Sequence, residues 1–139
     1  MKSIKYIWEF GSLILLVLGS VHMFYTFFTN KFSSKNESLL PEMKKSSPIL
    51  TNETTIWKAW IGFNASHSLG AMFIGVINFM IAANYFEAFL SNHFYYIFNI
   101  ITILFYLILA KKYWFKVPFI GILLILICYL SVYIIILFN

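Results

Sequence analysis

The sequence predicts an all-α integral membrane protein, a four-helix transmembrane bundle in up-down-up-down order. Of its 139 residues, 61% are hydrophobic and only 11% are charged. A soluble domain carries roughly 25% charged residues to keep its surface wet. Four stretches approach the roughly 20 apolar residues that a helix needs to cross a hydrocarbon core of about 30 Å. Alternating-polarity strands are absent, which leaves helices to satisfy the backbone within lipid.

The first span runs from about Phe10 to Thr29. Its leader, Met1-Lys2-Ser3-Ile4-Lys5, looks like the start of a signal peptide. The apolar run nevertheless continues through Met23, Phe24, Tyr25, Phe27 and Phe28 without a small-residue cleavage site, so a retained helix is expected. The polar segment from Asn30 to Ile56 holds Pro41, Pro48 and serines 33, 34, 38, 46 and 47. It reads as a solvated loop with little regular structure. Its triplets Asn36-Glu37-Ser38 and Asn52-Glu53-Thr54 match the glycosylation pattern that such loops produce by chance.

The second span runs from about Ala59 to Ala83, with Thr54 or Thr55 placed to cap it and Trp57 and Trp60 at its interfacial end. The third runs from about Phe94 to Ala110 and the fourth from about Val117 to Phe138. Short connections make consecutive helices antiparallel neighbours, and residues 1–139 form one transmembrane domain. His93, beside Ser91 and Asn92, reads as a solvated cap residue. Glu9 and Glu87 lie near helix ends and reach the interface.

The net charge of +5 comes from ten lysines and no arginine. Arginine is the usual residue for bidentate phosphate and base contacts, so nucleic acid is not an expected partner. The lysines fit topology and anionic headgroups instead, with the lipid bilayer as partner. Lys31, Lys35, Lys44, Lys45, Lys58, Lys111, Lys112 and Lys116 fall on one membrane side, Lys2 and Lys5 on the other. The positive-inside rule then places the long loop in the cytoplasm and both termini outside. The single cysteine, Cys128, forms no intramolecular disulfide, and no cysteine–histidine cluster has zinc spacing.

Polar residues inside a membrane are costly, so their faces are informative. At about 100° per residue, Gly11, Leu15, Gly19, His22 and Thr26 form one stripe of the first helix. Trp60, Phe63, Asn64, His67, Gly70, Ala71, Ile74 and Asn78 form a wider one on the second, opposite an apolar side of Ile61, Ala65, Leu69, Met72 and Val76. Tyr95, Asn99, Thr102 and Tyr106 share a face of the third helix. Gly121, Leu124, Cys128 and Ser131 do so less sharply on the fourth. His22 lies roughly 10 Å before the end of its helix and His67 at a similar depth in the next, with Tyr106 approaching that level. Asn78 and Asn99 match near the opposite side. Small and polar stripes also serve plain helix packing, at roughly 0.6 kcal/mol per interhelical bond. Two titratable rings at one depth exceed what packing asks for.

The densest part of the pattern is Gly19-x-x-His22 followed by Gly62-Phe63-Asn64-x-Ser66-His67-x-x-Gly70. It resembles a group of small, uncharacterised four-helix bacterial membrane proteins. The resemblance implies the same architecture in a bacterial cytoplasmic membrane and singles out His22, Asn64 and His67, but it brings no activity with it.

No Ser-His-Asp set, HExxH, glycine-rich phosphate loop or pair of buried carboxylates is present, so hydrolytic and phosphoryl-transfer enzymes are unsupported. Two roles remain. In one, His22 and His67 converge on a small ligand or cofactor, with Asn64, Thr26, Trp60 and Tyr106 around it. Haem would use both imidazoles as axial ligands. A quinone or lipid headgroup would use hydrogen bonds and an aromatic slot from Trp60, Phe63 and Tyr25. A lone metal ion would find its shell unfilled. In the other role the chain is a structural or assembly subunit, contacting a membrane-protein partner or a second copy of itself. A transporter reading lacks internal repeats and broken helices.

Overall fold

The computed structural model describes residues 2–138 and is all-helical there. Its elements are α1 (Lys2–Phe28), α2 (Leu39–Lys45), α3 (Ile56–Asn84), α4 (Phe86–Leu90), α5 (His93–Tyr113) and α6 (Lys116–Leu137). Four of them, α1, α3, α5 and α6, are long and apolar enough to cross a bilayer. The chain is a small, multi-pass integral membrane protein of the four-helix class.

The observed helix ends differ from the hydropathy limits most at the N-terminus, where α1 starts at Lys2 rather than Phe10. Lys5 and Glu9 depress local hydropathy, but the fold accommodates both. Lys5 Nζ donates to the carbonyl of Ala83 at 2.8 Å and lies 3.7 Å from the Glu9 carboxylate one turn away. At 27 and 29 residues, α1 and α3 are each about 40 Å long, more than the hydrocarbon core requires.

The chain divides into two compact units, residues 1–18 with 71–139 and residues 19–70, the divisions falling within α1 and α3. In the first unit all four spans contribute to a core of Trp8, Leu15, Ala82, Tyr96, Ile103, Ile125, Tyr129 and neighbours. Gly75 of α3 meets α1 backbone to backbone. A Cβ there would stand 2.8 Å from Leu16 N and 2.9 Å from Ser12 O, so only glycine permits this approach. Trp8 stacks on Tyr129 at 3.7 Å, nearly parallel, and meets Tyr96 and Phe89 edge-on.

The buried face of α6 is Ile122, Ile125, Leu126, Tyr129 and Val132. This corrects the expected stripe of Gly121, Leu124, Cys128 and Ser131: Leu124 is exposed and the others are only half-buried. On α3 the buried positions are Ser68, Ala71, Gly75, Asn78 and Ala82; Ala71 and Asn78 belong to the expected stripe, whereas its Asn64, His67, Gly70 and Ile74 are half-buried and its Phe63 and Trp60 are exposed. Of its expected lipid side, Leu69 and Val76 are exposed, while Ile61, Ala65 and Met72 are half-buried.

The second unit contains the polar segment, which is more ordered than its composition suggests. α2 forms around Pro41, which the first turn of a helix tolerates, with Glu42 in that turn and Lys44 and Lys45 in the last, as the helix dipole favours. Ile56 N–H donates to Ser46 O at 2.9 Å and fastens the end of α2 to the start of α3. Thr55 Oγ1 accepts from Lys58 N–H at 3.3 Å and caps α3. At α5 the cap is Asn92, which accepts from Tyr95 N–H; His93 is the first helical residue.

Candidate functional site

Five of the six sequence-predicted site residues lie in the second unit. His22 and Thr26 come from α1, and Trp60, Asn64 and His67 come from α3. The His22 and His67 rings meet edge-to-face with centroids 5.5 Å apart, as the depth argument expects of neighbouring antiparallel spans. Tyr106 belongs to the other unit, where its ring lies 6.4 Å from Trp114.

Asn64 organises the site. Its Nδ2 donates to Trp60 O one turn back at 2.8 Å, which fixes the amide so that Oδ1 faces α1. His22 Nε2 lies 2.9 Å from that oxygen. An amide oxygen only accepts, so His22 carries its proton on Nε2. Thr26 Oγ1 donates to His22 O at 2.9 Å, and Ser68 Oγ donates to Asn64 O at 2.7 Å, holding both helices' polar groups locally. Phe32, from the segment after α1, packs against the His22 ring at 4.6 Å.

Next to this pair is a cleft of about 270 Å³, lined by Thr26, Phe32, Ser33, Trp57, Trp60 and Asn64 among others. A second cleft of similar size shares Phe32, Ser33, Trp57 and Trp60 and continues along Leu39, Leu40 and Met43 of α2. Lys44 Nζ sits 5.9 Å above the Trp57 ring. The aromatic slot is therefore Phe32, Trp57 and Trp60, which corrects the expected Trp60, Phe63 and Tyr25. Phe63 is 77% exposed on the outer surface, and Tyr25 packs near Phe32 instead of lining the cleft. Phe32 escaped the sequence reading because it follows the span and belongs to no periodic stripe. Its only signal was an aromatic residue shortly after a helix end.

His22 stands one hydrogen bond behind the cleft wall, and neither histidine lines either cleft. This geometry does not fit haem. Axial imidazoles need a plate-sized slot between them, whereas these rings touch edge-to-face and His22 Nε2 is committed to Asn64. No group of three His, Cys, Asp or Glu side chains able to hold a metal ion occurs among the described residues. What the arrangement can do is present an oriented amide and a hydroxyl to a partly apolar guest. No known protein family, curated protein or solved structure matches the chain.

A second polar cluster lies in the first unit and was only partly foreseen. Trp8 Nε1 and Tyr95 OH both donate to Asn78 Oδ1, at 3.1 and 2.7 Å, while Asn78 Nδ2 donates to Asn99 Oδ1 at 2.8 Å and to Ile74 O at 2.9 Å. Ser12 Oγ donates to Trp8 O, so the Tyr129 hydroxyl 2.9 Å away donates to Ser12. The Asn78–Asn99 match was legible from depth. Trp8 and Ser12 were hidden by the late start assigned to the first span, or by their position off its stripe, and Tyr129 by its uniformly apolar helix.

Proposed function

We propose that this protein binds a small amphipathic molecule with a hydrogen-bonding head, a quinone or a lipid headgroup, in the cleft beside Asn64. The observation that carries the reading is the position of Asn64, which is both held by His22 and part of the cleft wall. Of its four hydrogen-bonding capacities, described residues take two, leaving one N–H and one oxygen lone pair for a guest. Trp57, Trp60 and Phe32 supply flat apolar walls, and aromatic side chains at this level suit a ring or the glycerol region of a lipid. A cleft of about 270 Å³ takes a headgroup while leaving an isoprenoid or acyl tail outside, against the apolar helix surface. The resemblance carried by Gly19, His22 and the Gly62–Gly70 run supports a bacterial cytoplasmic membrane as the setting.

Tryptophan fluorescence tests the proposal, because Trp57 and Trp60 line the site. Titration of the detergent-solubilised protein with decylubiquinone should give saturable quenching. Asn64→Ala should weaken it by roughly tenfold, the worth of one hydrogen bond at the upper end of its range. Native mass spectrometry reads the lipid alternative, as a retained lipid that Asn64→Ala releases. Linear, unsaturable quenching together with no Asn64-dependent adduct would overturn the reading. A stoichiometric protein partner in such a preparation would then favour the assembly-subunit role.

A further inference from the structure

The segment between α2 and α3 presents a feature that the cleft does not use. Ile49 and Leu50 are 108% and 92% exposed, the most solvent-accessible large apolar side chains described. Apart from Leu39, every other exposed large apolar side chain lies within a candidate span or one residue from its end. Lipid covers those. Ile49 and Leu50 are six or seven residues from the start of α3.

Their presentation is structured. Thr51 N–H donates to Pro48 O at 3.3 Å, closing a turn whose two central residues are Ile49 and Leu50. Glu53 N–H donates to Thr51 Oγ1 at 3.1 Å on the return. The bond from Ile56 N–H to Ser46 O closes the loop at its base, on the first residue of a membrane span. Ile49 is three residues from that base, so its backbone stays within about 10 Å of it. The two side chains are thus tethered close to the level where α3 leaves the hydrocarbon. Around them the unit carries Lys31, Lys35, Lys44, Lys45 and Lys58 against Glu37, Glu42 and Glu53, a balance that favours an anionic surface.

We infer that the Pro48–Thr51 turn is a membrane-inserting tip, with Ile49 and Leu50 embedded in the lipid interface and Lys44 and Lys45 on anionic headgroups. The occupant is the bilayer that already surrounds α3. The tip fixes the segment that bears Leu39, Leu40 and Met43 over the cleft, so it holds the roof of that cleft in place.

Site-specific labelling of the full chain tests this. In a Cys128→Ala background, Ile49→Cys or Leu50→Cys is labelled with an environment-sensitive fluorophore, with Glu37→Cys as the water-facing control on the same segment. The proteins are reconstituted into vesicles of phosphatidylcholine, with and without phosphatidylglycerol. The expected result is blue-shifted emission at 49 and 50, strong quenching by lipids spin-labelled near the headgroup, and several-fold less quenching by aqueous iodide than at 37. Phosphatidylglycerol should strengthen the contrast, and Lys44→Gln with Lys45→Gln should remove that dependence. Equal iodide access at 49, 50 and 37 in both vesicles would overturn the proposal. So would a label shielded from iodide yet unquenched by lipid, because protein would then cover the tip. Labelling at two adjacent positions keeps the test decisive if one variant fails to fold.

Discussion

Asn64 and Asn78 lie on the same helix and begin alike, each donating Nδ2 to the carbonyl one turn back, at 2.8 and 2.9 Å. Beyond that they diverge. Asn78 is buried, and all four of its capacities are filled, by Trp8, Tyr95, Asn99 and Ile74. Asn64 is half-buried, engages His22, and keeps capacity in reserve at the edge of a cleft. A saturated amide within a membrane joins helices. An unsaturated one beside a cavity keeps a donor and an acceptor open, as the proposed guest would need. The residue type does not distinguish the two roles; the number of partners does.

Replacing Asn78 should separate the regions most. Asn78→Ala breaks three side-chain bonds linking α3 to α1 and α5 and leaves the Trp8 indole donor buried without a partner. At about 0.6 kcal/mol per interhelical bond, plus about 1–3 kcal/mol for the orphaned donor, the loss should be roughly 3–5 kcal/mol. Unfolding in mixed micelles by a denaturing detergent measures it. A loss under about 0.5 kcal/mol would show that the network does not hold the helices together. Gly75→Ala comes next, at about 1–3 kcal/mol, because the added methyl meets backbone atoms of Ser12 and Leu16 that cannot swing aside. Wild-type stability for that variant would mean that α1 and α3 slide past one another freely.

The contrast also explains what could be read from the residues alone. The four spans were legible because hydropathy over 20 residues survives local irregularity. The α1 stripe was legible because Gly11, Gly19, His22 and Thr26 stand out against Leu, Val and Phe. On α6 the same reasoning failed, since a helix running Ile122-Leu123-Leu124-Ile125-Leu126-Ile127 offers no polarity contrast for a 3.6-residue period to act on. There Gly121, Cys128 and Ser131 drew attention, while Tyr129 held the core. The His22–His67 pairing followed from depth, and Asn64 from its place on the same stripe as His67. The cleft did not, because Phe32 comes from a nonperiodic segment and α2 was concealed by its polar composition.

Asn64→Ala should cost under about 1 kcal/mol in the same unfolding assay, because one interhelical bond is lost at a site that water or a headgroup can reach. On the proposed reading its main effect falls on ligand binding, so stability and binding should part company at Asn64 and not at Asn78. If the two alanine variants destabilise equally, Asn64 is a structural lock too, and the case for a guest beside it collapses.

The smallest expected change tests whether the saturation seen at Asn78 extends through the rest of the first unit. Tyr96 is fully buried, packed 4.5 Å from Phe89, edge-on to Trp8 at 5.3 Å and stacked on Tyr133 at 5.4 Å. Its hydroxyl is nevertheless the one buried side-chain polar atom without a hydrogen-bond partner among the described residues. An unpaired donor away from water costs about 1–3 kcal/mol, whereas its ring contacts are indifferent to the oxygen. Tyr96→Phe should therefore leave stability unchanged or raise it by up to about 1 kcal/mol, the opposite sign from Asn78→Ala. A loss of more than about 1 kcal/mol would mean that the phenol holds a buried water or a guest's oxygen. The first unit would then contain a polar site of its own, and the division between a locked region and a receptive one would have to be redrawn around Tyr96.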